Sequence, residues 1–409
     1  FGMGIRVIHK GKLGFYSTNE ADPEHAIEQA FNLAKANPNN SKIQLKKTKT
    51  VKEKIINSGR KSIADRSIDN DAEFVKEIEK TAKISPLLKS IQVKLGNVLG
   101  NHVFANTEDS EIQHKGGRTI TYVFLTAKDK GKLEQTVFRR GAKSFSVYKN
   151  YEDELRKKAQ LAVDLLSAKK PPAGKFNAIL DPESTGVFAH EALGHAAEAD
   201  LVLQNSSILK GKINKKIAST CVNISDDSTI PTDKWGSYKY DNEGVLGRKT
   251  EIIKNGILKS FLHSRETASK MNTKLTGNAR AQDFSFLPIV RMSNTSFESG
   301  KYSFNELVEQ LKDGYYLVGF KAGQVGTLEG TFTFASDHCF RVKGGEVKEL
   351  LKGCTFGGKT LEMLKKISAI QKGKRDFSIG WCGKNGQRVP VTDGGTHILV
   401  KDLYVGGEE

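Results

Sequence analysis

Apolar and polar positions change period several times along the chain, and each change marks an element. The run IRVIHKGKLGFYST predicts a hairpin turning at Lys10-Gly11, and DPEHAIEQAFNLAKAN follows with Asp22 as a helix cap and Pro23 in the first turn. SIQVKLGN, TITYVFLTAK (Thr119 to Lys128) and LEQTVFRR read as antiparallel strands. Apolar residues at Leu155, Ala159, Ala162 and Leu166 then give Tyr151 to Ala168 a helical face, so this half predicts an α/β layer. KKPPAG, from Lys169 to Gly174, stops that helix and stiffens the chain, and the domain boundary is expected there.

The second half is richer in strand signals. KTEIIKNGILKSFLH is its clearest hairpin, with Asn255-Gly256 where a positive φ is needed, and FRVKGGEVKEL gives another at Gly344-Gly345. Ser303 to Leu311 opens with a capping box of Ser303 and Glu306, and Thr360 to Ile370 repeats Leu361, Leu364 and Ile367 as a helix. FNAIL reads as a strand; Asp181 and Pro182 then cap a helix whose apolar pattern continues to about Leu203. No internal repeat or low-complexity tract is visible. The expected fold is α+β in two domains: an N-terminal α/β domain over residues 1–170 and a C-terminal β-rich, barrel-like domain over 171–409 carrying that helix.

A chain of 409 residues, 37% hydrophobic, can bury two substantial cores, and its 39 glycines suit many turns between strands. No run approaches the ~20 apolar residues of a membrane span, and residues 1 to 20 lack a signal-peptide layout, so a soluble, cytoplasmic protein is expected. Position 1 is Phe rather than Met, which suggests that residues precede it. The formal charge of +17 is concentrated in KIQLKKTKTVKEKIINSGRK, between Lys42 and Lys61. That segment holds no aromatic residue for a base to stack on, so it reads as a solvated face or loop rather than a nucleic-acid platform. Cys221, Cys339, Cys354 and Cys382 are too irregularly spaced for a disulfide framework.

Candidate chemistry concentrates in HEALGH, residues 190 to 195. At ~100° per residue, histidines five apart differ by ~140° around a regular helix, too far to share one ion. A single π-type turn, absorbing one extra residue, returns positions i and i+5 to nearly the same face, and Gly194 is where the backbone yields most easily. Glu191 would then stand beside a metal held by His190 and His195, where a carboxylate can take a proton from water. The competing reading is two packed histidines and a surface glutamate. A catalytic zinc needs a third protein ligand. Glu198 and, more weakly, Asp200 are local candidates; the distant one is Cys382 in GWCGKNGQRVPV, set at the rim of a tight Asn385-Gly386 loop. Cys221, Cys339 and Cys354 read as small buried hydrophobes.

Several longer motifs, in order, resemble those of the TldD/PmbA metallopeptidases, once described as modulators of DNA gyrase. They are GMGIRVIHKGKLGFYSTN, FAHEALGHAAEAD, DDSTIPTDKWGSYKYDNEGVLGRKTEIIKNGIL, TGNAR, LPIVRMSNT, KAGQV, WCGKNGQRVPV and the final LYVGG. The resemblance implies zinc at His190, His195 and Cys382 with Glu191 as general base, and the full HExxxH places the chain on the catalytic, TldD-like side. It implies hydrolysis of unfolded or extended peptides, added as a strand to a sheet edge inside a chamber of two subunits. The resemblance implies a partner subunit, either an identical chain or a PmbA-like one. The thiolate ligand makes a weaker Lewis acid expected, in keeping with a slow processing enzyme. The sequence departs from the family after VPV, at Thr392 to His397, where the local loop shape is in question. Two other readings are a non-catalytic scaffold subunit with a structural metal and a nucleic-acid-associated regulator.

Overall fold

A computed structural model describes residues 1–39, 42–230 and 234–407. Residues 231–233 of the DDSTIPTDKW stretch lie outside that description. The chain opens with strands β1 (Met3–His9) and β2 (Lys12–Thr18), followed by helix α1 (Pro23–Ala36). Lys10 and Gly11 turn the hairpin at φ 49° and 80°, and the Asp22 side chain caps α1 by accepting from His25 N at 3.0 Å. Next come β3 (Lys52–Ile56), α2 (Arg60–Ala64), α3 (Ile68–Ala82), β4 (Leu88–Ala105), β5 (Glu111–Asp129), β6 (Lys132–Ala142) and α4 (Glu152–Asp164).

β5 is the spine of this sheet: β4 runs antiparallel along it, β6 pairs with its second half, and β3 pairs in parallel with its start. Helices α3 and α4 cover one face, enclosing a core of Ile78, Leu125, Phe138 and Leu155. Two features differ from the sequence reading. Lys52–Ile56, inside the basic segment, is a strand rather than loop, because it finds Glu111–Lys115 of β5 as a backbone partner. α3 was not expected, although Ser67 supplies a full capping box and Phe74, Ile78 and Ala82 recur at helical spacing.

The C-terminal half begins with β7 (Gly174–Leu180), α5 (Pro182–Val187) and α6 (Ala199–Leu203). Then follow β8 (Ile224–Asp227), β9 (Lys249–Lys254), β10 (Ile257–Leu258), α7 (Arg265–Lys270), β11 (Ala279–Arg280), β12 (Ile289–Val290), β13 (Asn294–Phe297) and α8 (Phe304–Leu311). The remaining elements are β14 (Gly314–Val318), β15 (Ala322–Gly326), β16 (Thr331–Ala335), β17 (His338–Lys343), β18 (Glu346–Lys352), β19 (Cys354–Lys359), α9 (Thr360–Lys366), β20 (Ile367–Ile370), β21 (Asp376–Lys384), β22 (Gln387–Gly395) and β23 (Ile398–Gly407).

Two sheets organise this half: six strands in the order β10-β9-β8-β13-β22-β21, and nine in the order β15-β16-β19-β23-β7-β14-β17-β18 with β20 beside β23. The expected barrel is therefore an open half-barrel. The predicted turns fall where Asn255-Gly256 and Gly344-Gly345 take positive φ. The helix expected over Thr360–Ile370 ends at Lys366, because Ile367–Ile370 pairs with β23 instead. Of the residues after VPV, Thr392 to Gly395 extend β22, paired with Asp376 to Ile379 of β21, and only Thr396 and His397 link it to β23.

α5 and the turn that follows it touch β13 and β22 of one sheet and β7, β14 and β15 of the other. Contact with β22 is intimate at Gly186, four residues before His190. A Cβ there would lie 2.4 Å from Gly394 N and 2.8 Å from Asp393 C, both backbone atoms that cannot turn aside. Gly186→Ala should therefore lift the helix from β22 and destabilise the protein by roughly 1–3 kcal/mol. Gly380→Ala, whose new methyl meets only Val391 at 3.7 Å, should leave the unfolding temperature nearly unchanged. Equal melting temperatures for the two variants in calorimetry would refute this account.

Candidate metal centre

The segment carrying the two histidines is π-helical from Phe188 to Gly194 and tightens to a 3₁₀ turn over His195–Ala197. The wider turn brings the imidazoles of His190 and His195 to a centroid separation of 5.2 Å, nearly perpendicular at 86°. Gly194 does not loosen the backbone there, for its φ of −59° is ordinary. Its role is steric, since a Cβ would stand 2.1 Å from Met292 Sδ. The helix expected to continue to Leu203 breaks at Glu198, which is extended at ψ 118° and pairs with Leu262; α6 restarts after it.

Cys382 arrives from the far end of the chain. It lies within β21, paired with Val389, and is 3% exposed, so it is buried in a strand rather than set at a loop rim. The Asn385-Gly386 turn follows the strand's end at φ 50° and 73°. One donor atom each from His190, His195 and Cys382 falls within 4.8 Å of the others, and Cys382 Sγ is 3.3 Å from His195 Nε2. Glu191 Oε2 is 3.8 Å from the same Nε2, with the side chain 39% exposed. Glu198 and Asp200 do not join this face. Glu198 Oε2 lies 2.9 Å from His195 Nδ1, on the opposite side of the ring, and Asp200 pairs with Lys384 at 2.7 Å.

The electrostatics of the metal-free protein follow from this packing. Burial disfavours a charged thiol, yet the His190 and His195 imidazoles beside Cys382 hold it well below its ordinary value. Burial likewise opposes charging the histidines, but Cys382 lifts His190 to about 9, and Glu198 with Cys382 lifts His195 well above its usual range. Glu198 is buried yet held low by His195 and Lys384. Burial pushes Asp393 up to about 6, opposed by His190 and Arg139.

Three residues in this neighbourhood were missed by sequence reasoning. Arg291, fully buried, donates from Nη2 to the Cys382 carbonyl and from Nη1 to Gln387 O at 3.3 Å, fixing the thiol's strand from below. An arginine inside the apolar run LPIVRM was the available signal. Asp393 sits next to Gly394, where α5 presses on β22. Lys384, two residues after the thiol, reaches the acidic groups behind His195.

A donor set of two imidazoles and one thiolate fits zinc, and three protein donors leave one tetrahedral position for water or substrate. His190 Nδ1 is buried with no hydrogen-bond partner among the described residues, a polar atom for which the protein alone supplies nothing. The depressed thiol is directly testable. Its thiolate is lost only as pH falls through the lowered value, so the ultraviolet thiolate absorbance of metal-free protein should persist well below pH 9.0. In His195→Gln the same absorbance should vanish at distinctly higher pH; titrations that superimpose would show that the imidazole does not stabilise the anion.

The sequence profile described as the PmbA/TldA metallopeptidase C-terminal domain matches residues 173–407, and that described as PmbA/TldA metallopeptidase domain 1 matches residues 1–37. A metalloprotease of Methanocaldococcus jannaschii is 42% identical over 96% of this chain and 88% of its own length. A zinc metalloprotease TldD homolog of Saccharolobus solfataricus is 34% identical over 99% of this chain and 90% of its own. Among solved structures, TldE of Thermococcus kodakarensis superposes with a TM-score of 0.77 at 21% identity, covering 99% of this chain and 89% of that one. A Thermotoga maritima protein described as a modulator of a DNA gyrase gives 0.78 at 21%, over 98% and 88%. These two share the fold. With the profiles and the close relatives spanning nearly all of it, the chain belongs to the PmbA/TldD metallopeptidase family.

Proposed function

We propose that this chain is a zinc-dependent peptidase of unfolded or extended polypeptides, with His190, His195 and Cys382 as metal ligands and Glu191 as general base. The observation that carries the reading is the meeting, within 4.8 Å, of donors from buried His190, half-buried His195 and buried Cys382, the last from the far end of the chain, with a carboxylate alongside. Bound zinc supplies Lewis acidity, lowering the pKa of coordinated water toward neutrality and polarising a peptide carbonyl. Glu191, reachable from solvent, accepts a proton on its carboxylate and returns it to the departing amine. Glu198, ionised, accepts from His195 Nδ1 and so keeps the Nε2 lone pair aimed at the ligand side. The names of the relatives support the same reaction class.

Two sheet edges lie near this chemistry. β21 ends the six-stranded sheet and carries Cys382; β15 ends the nine-stranded sheet and lies against the π-helical segment. Either edge suits a peptide that pairs through its main chain, a mode that reads shape and flexibility more than side-chain identity. The proposed partner is a second copy or a PmbA-like chain, a reading supported by the likeness to TldE. The proposed location is the cytoplasm: none of the cysteines forms a disulfide, and no helix among the described residues is long and apolar enough to cross a membrane. The domain boundary is proposed at 170/171.

Glu191→Gln should retain zinc and lose cleavage of an unstructured peptide by about 10²–10⁴-fold, whereas Cys382→Ala should lose both. Near-native turnover in Glu191→Gln would remove the base from that residue, and full zinc content in Cys382→Ala would remove the thiol from the ligand set. A protein substrate should be cut much faster after unfolding than in its native state. Equal initial rates on the two forms, followed by electrophoresis, would contradict strand addition.

A further inference from the structure

We propose that Lys384 is a positioning residue that holds the two arms of the metal centre in register; this rests on reading His190, His195 and Cys382 as the ligands. Cys382 and Lys384 stand two apart on β21, so their side chains leave the same face of the strand. From that face one strand addresses both nitrogens of a single imidazole. Cys382 Sγ approaches His195 Nε2 at 3.3 Å. Lys384 Nζ lies 3.1 Å from Glu198 Oε2, which is itself 2.9 Å from His195 Nδ1.

An ammonium has three hydrogens to share, and here each has a fixed destination. Besides Glu198, Lys384 donates to the Asp200 carboxylate at 2.8 and 2.7 Å and to Val290 O at 3.0 Å. Its side chain is 7% exposed and that of Glu198 0%, so neither charge can relax into solvent. Glu198 and Asp200 flank the point where the motif helix breaks and α6 begins. Lys384 therefore staples that break to β21 and at the same time supplies the charge that keeps a buried carboxylate behind His195. The consequence is an imidazole whose ring plane and tautomer are set by the strand that brings the thiol. His195 and Cys382 are 187 residues apart, and this bridge ties their distance to local strand geometry.

The test uses Lys384→Met, Lys384→Arg and Asp200→Asn in the full chain. Zinc affinity is measured by competition with a chromophoric chelator, and the cobalt(II)-substituted forms are examined by absorption. Lys384→Met should bind zinc about 10–100-fold more weakly, the range for loss of an outer-shell partner, and should keep the thiolate-to-cobalt charge-transfer band while its ligand-field bands shift. Lys384→Arg should recover affinity toward native, and Asp200→Asn should show a smaller loss in the same direction. Native affinity with unchanged ligand-field bands in Lys384→Met overturns the positioning role and leaves the ligand set standing. If that variant does not fold, the same result in Asp200→Asn overturns it. Absence of the charge-transfer band from the native chain overturns the ligand set, and the positioning role with it.

Discussion

Two imidazoles five residues apart can face one point only if the helix between them takes in an extra residue, and the surrounding structure is arranged to hold that turn. A π turn is a poor local solution, so packing must impose it. Phe188 and Leu193 within the turn are fully buried between the two sheets. Gly186 lets the preceding turn sit directly on the backbone of Gly394, and Gly194 makes room for Met292. Beyond the second histidine the chain leaves the helix at once, because Glu198 pairs with Leu262 and Ala199 N donates to Leu262 O at 3.0 Å. The widened turn is therefore clamped at its start, its middle and its exit.

The same half of the chain buries an unusual set of charges, and their partners explain why they are tolerated. Asp226 accepts from Asn278 Nδ2 at 2.8 Å, Ser293 N at 2.8 Å, Ser293 Oγ at 2.7 Å and Thr295 Oγ1 at 2.9 Å. Arg280 donates to Met292 O at 2.5 Å and Pro390 O at 2.7 Å, while Arg291 holds the carbonyls of Cys382 and Gln387. A buried charge stripped of such partners is costly, so each is committed to one geometry. The effect is to lock β21 and β22 against β13 beneath the thiol. Because these hydrogen bonds are directional, they fix the hairpin's position, and with it that of the Cys382 thiol, more tightly than apolar packing alone.

Much of the secondary structure was legible because the deciding forces are local. Asp22, Asp181 and Ser303 each cap the helix they precede, and the glycines at 11, 256, 344 and 345 occupy positive φ where a hairpin turns. The π turn was legible for the opposite reason: the histidine spacing is incompatible with a regular helix, so the conflict itself pointed to it. What could not be read depends on distant partners. Ile367 to Ile370 continue a helical pattern but find β23, and Lys52 to Ile56 look like a charged loop but find β5. Cys382 looked like a loop thiol because Gly383 and the Asn385-Gly386 turn follow it, whereas it is buried within β21 and meets His195, 187 positions away. Glu198 read as a local candidate for the third ligand, and its placement on Nδ1 rather than Nε2 depends on packing that the sequence does not display.

Sheet edges near the chemistry also demand an explanation, for an edge strand invites association and proteins normally shorten, charge or cover it. β21 is nine residues long, and beside the thiol it carries Trp381 at 48% exposure, backed edge-on by Trp235 at 5.3 Å. Its central backbone is steadied from within by Trp235 Nε1, which donates to Gly380 O at 3.0 Å. β15 is short and open, yet it lies against the turn that carries the histidines. β21 is not bare along its whole length, for it touches β6 of the N-terminal half near Gly141 and Ile379; under the proposed function, the edge beside Cys382 or that of β15 is where a second strand would arrive. On that reading, a folded protein would have to lose its own strand pairing before it could offer a strand to either edge.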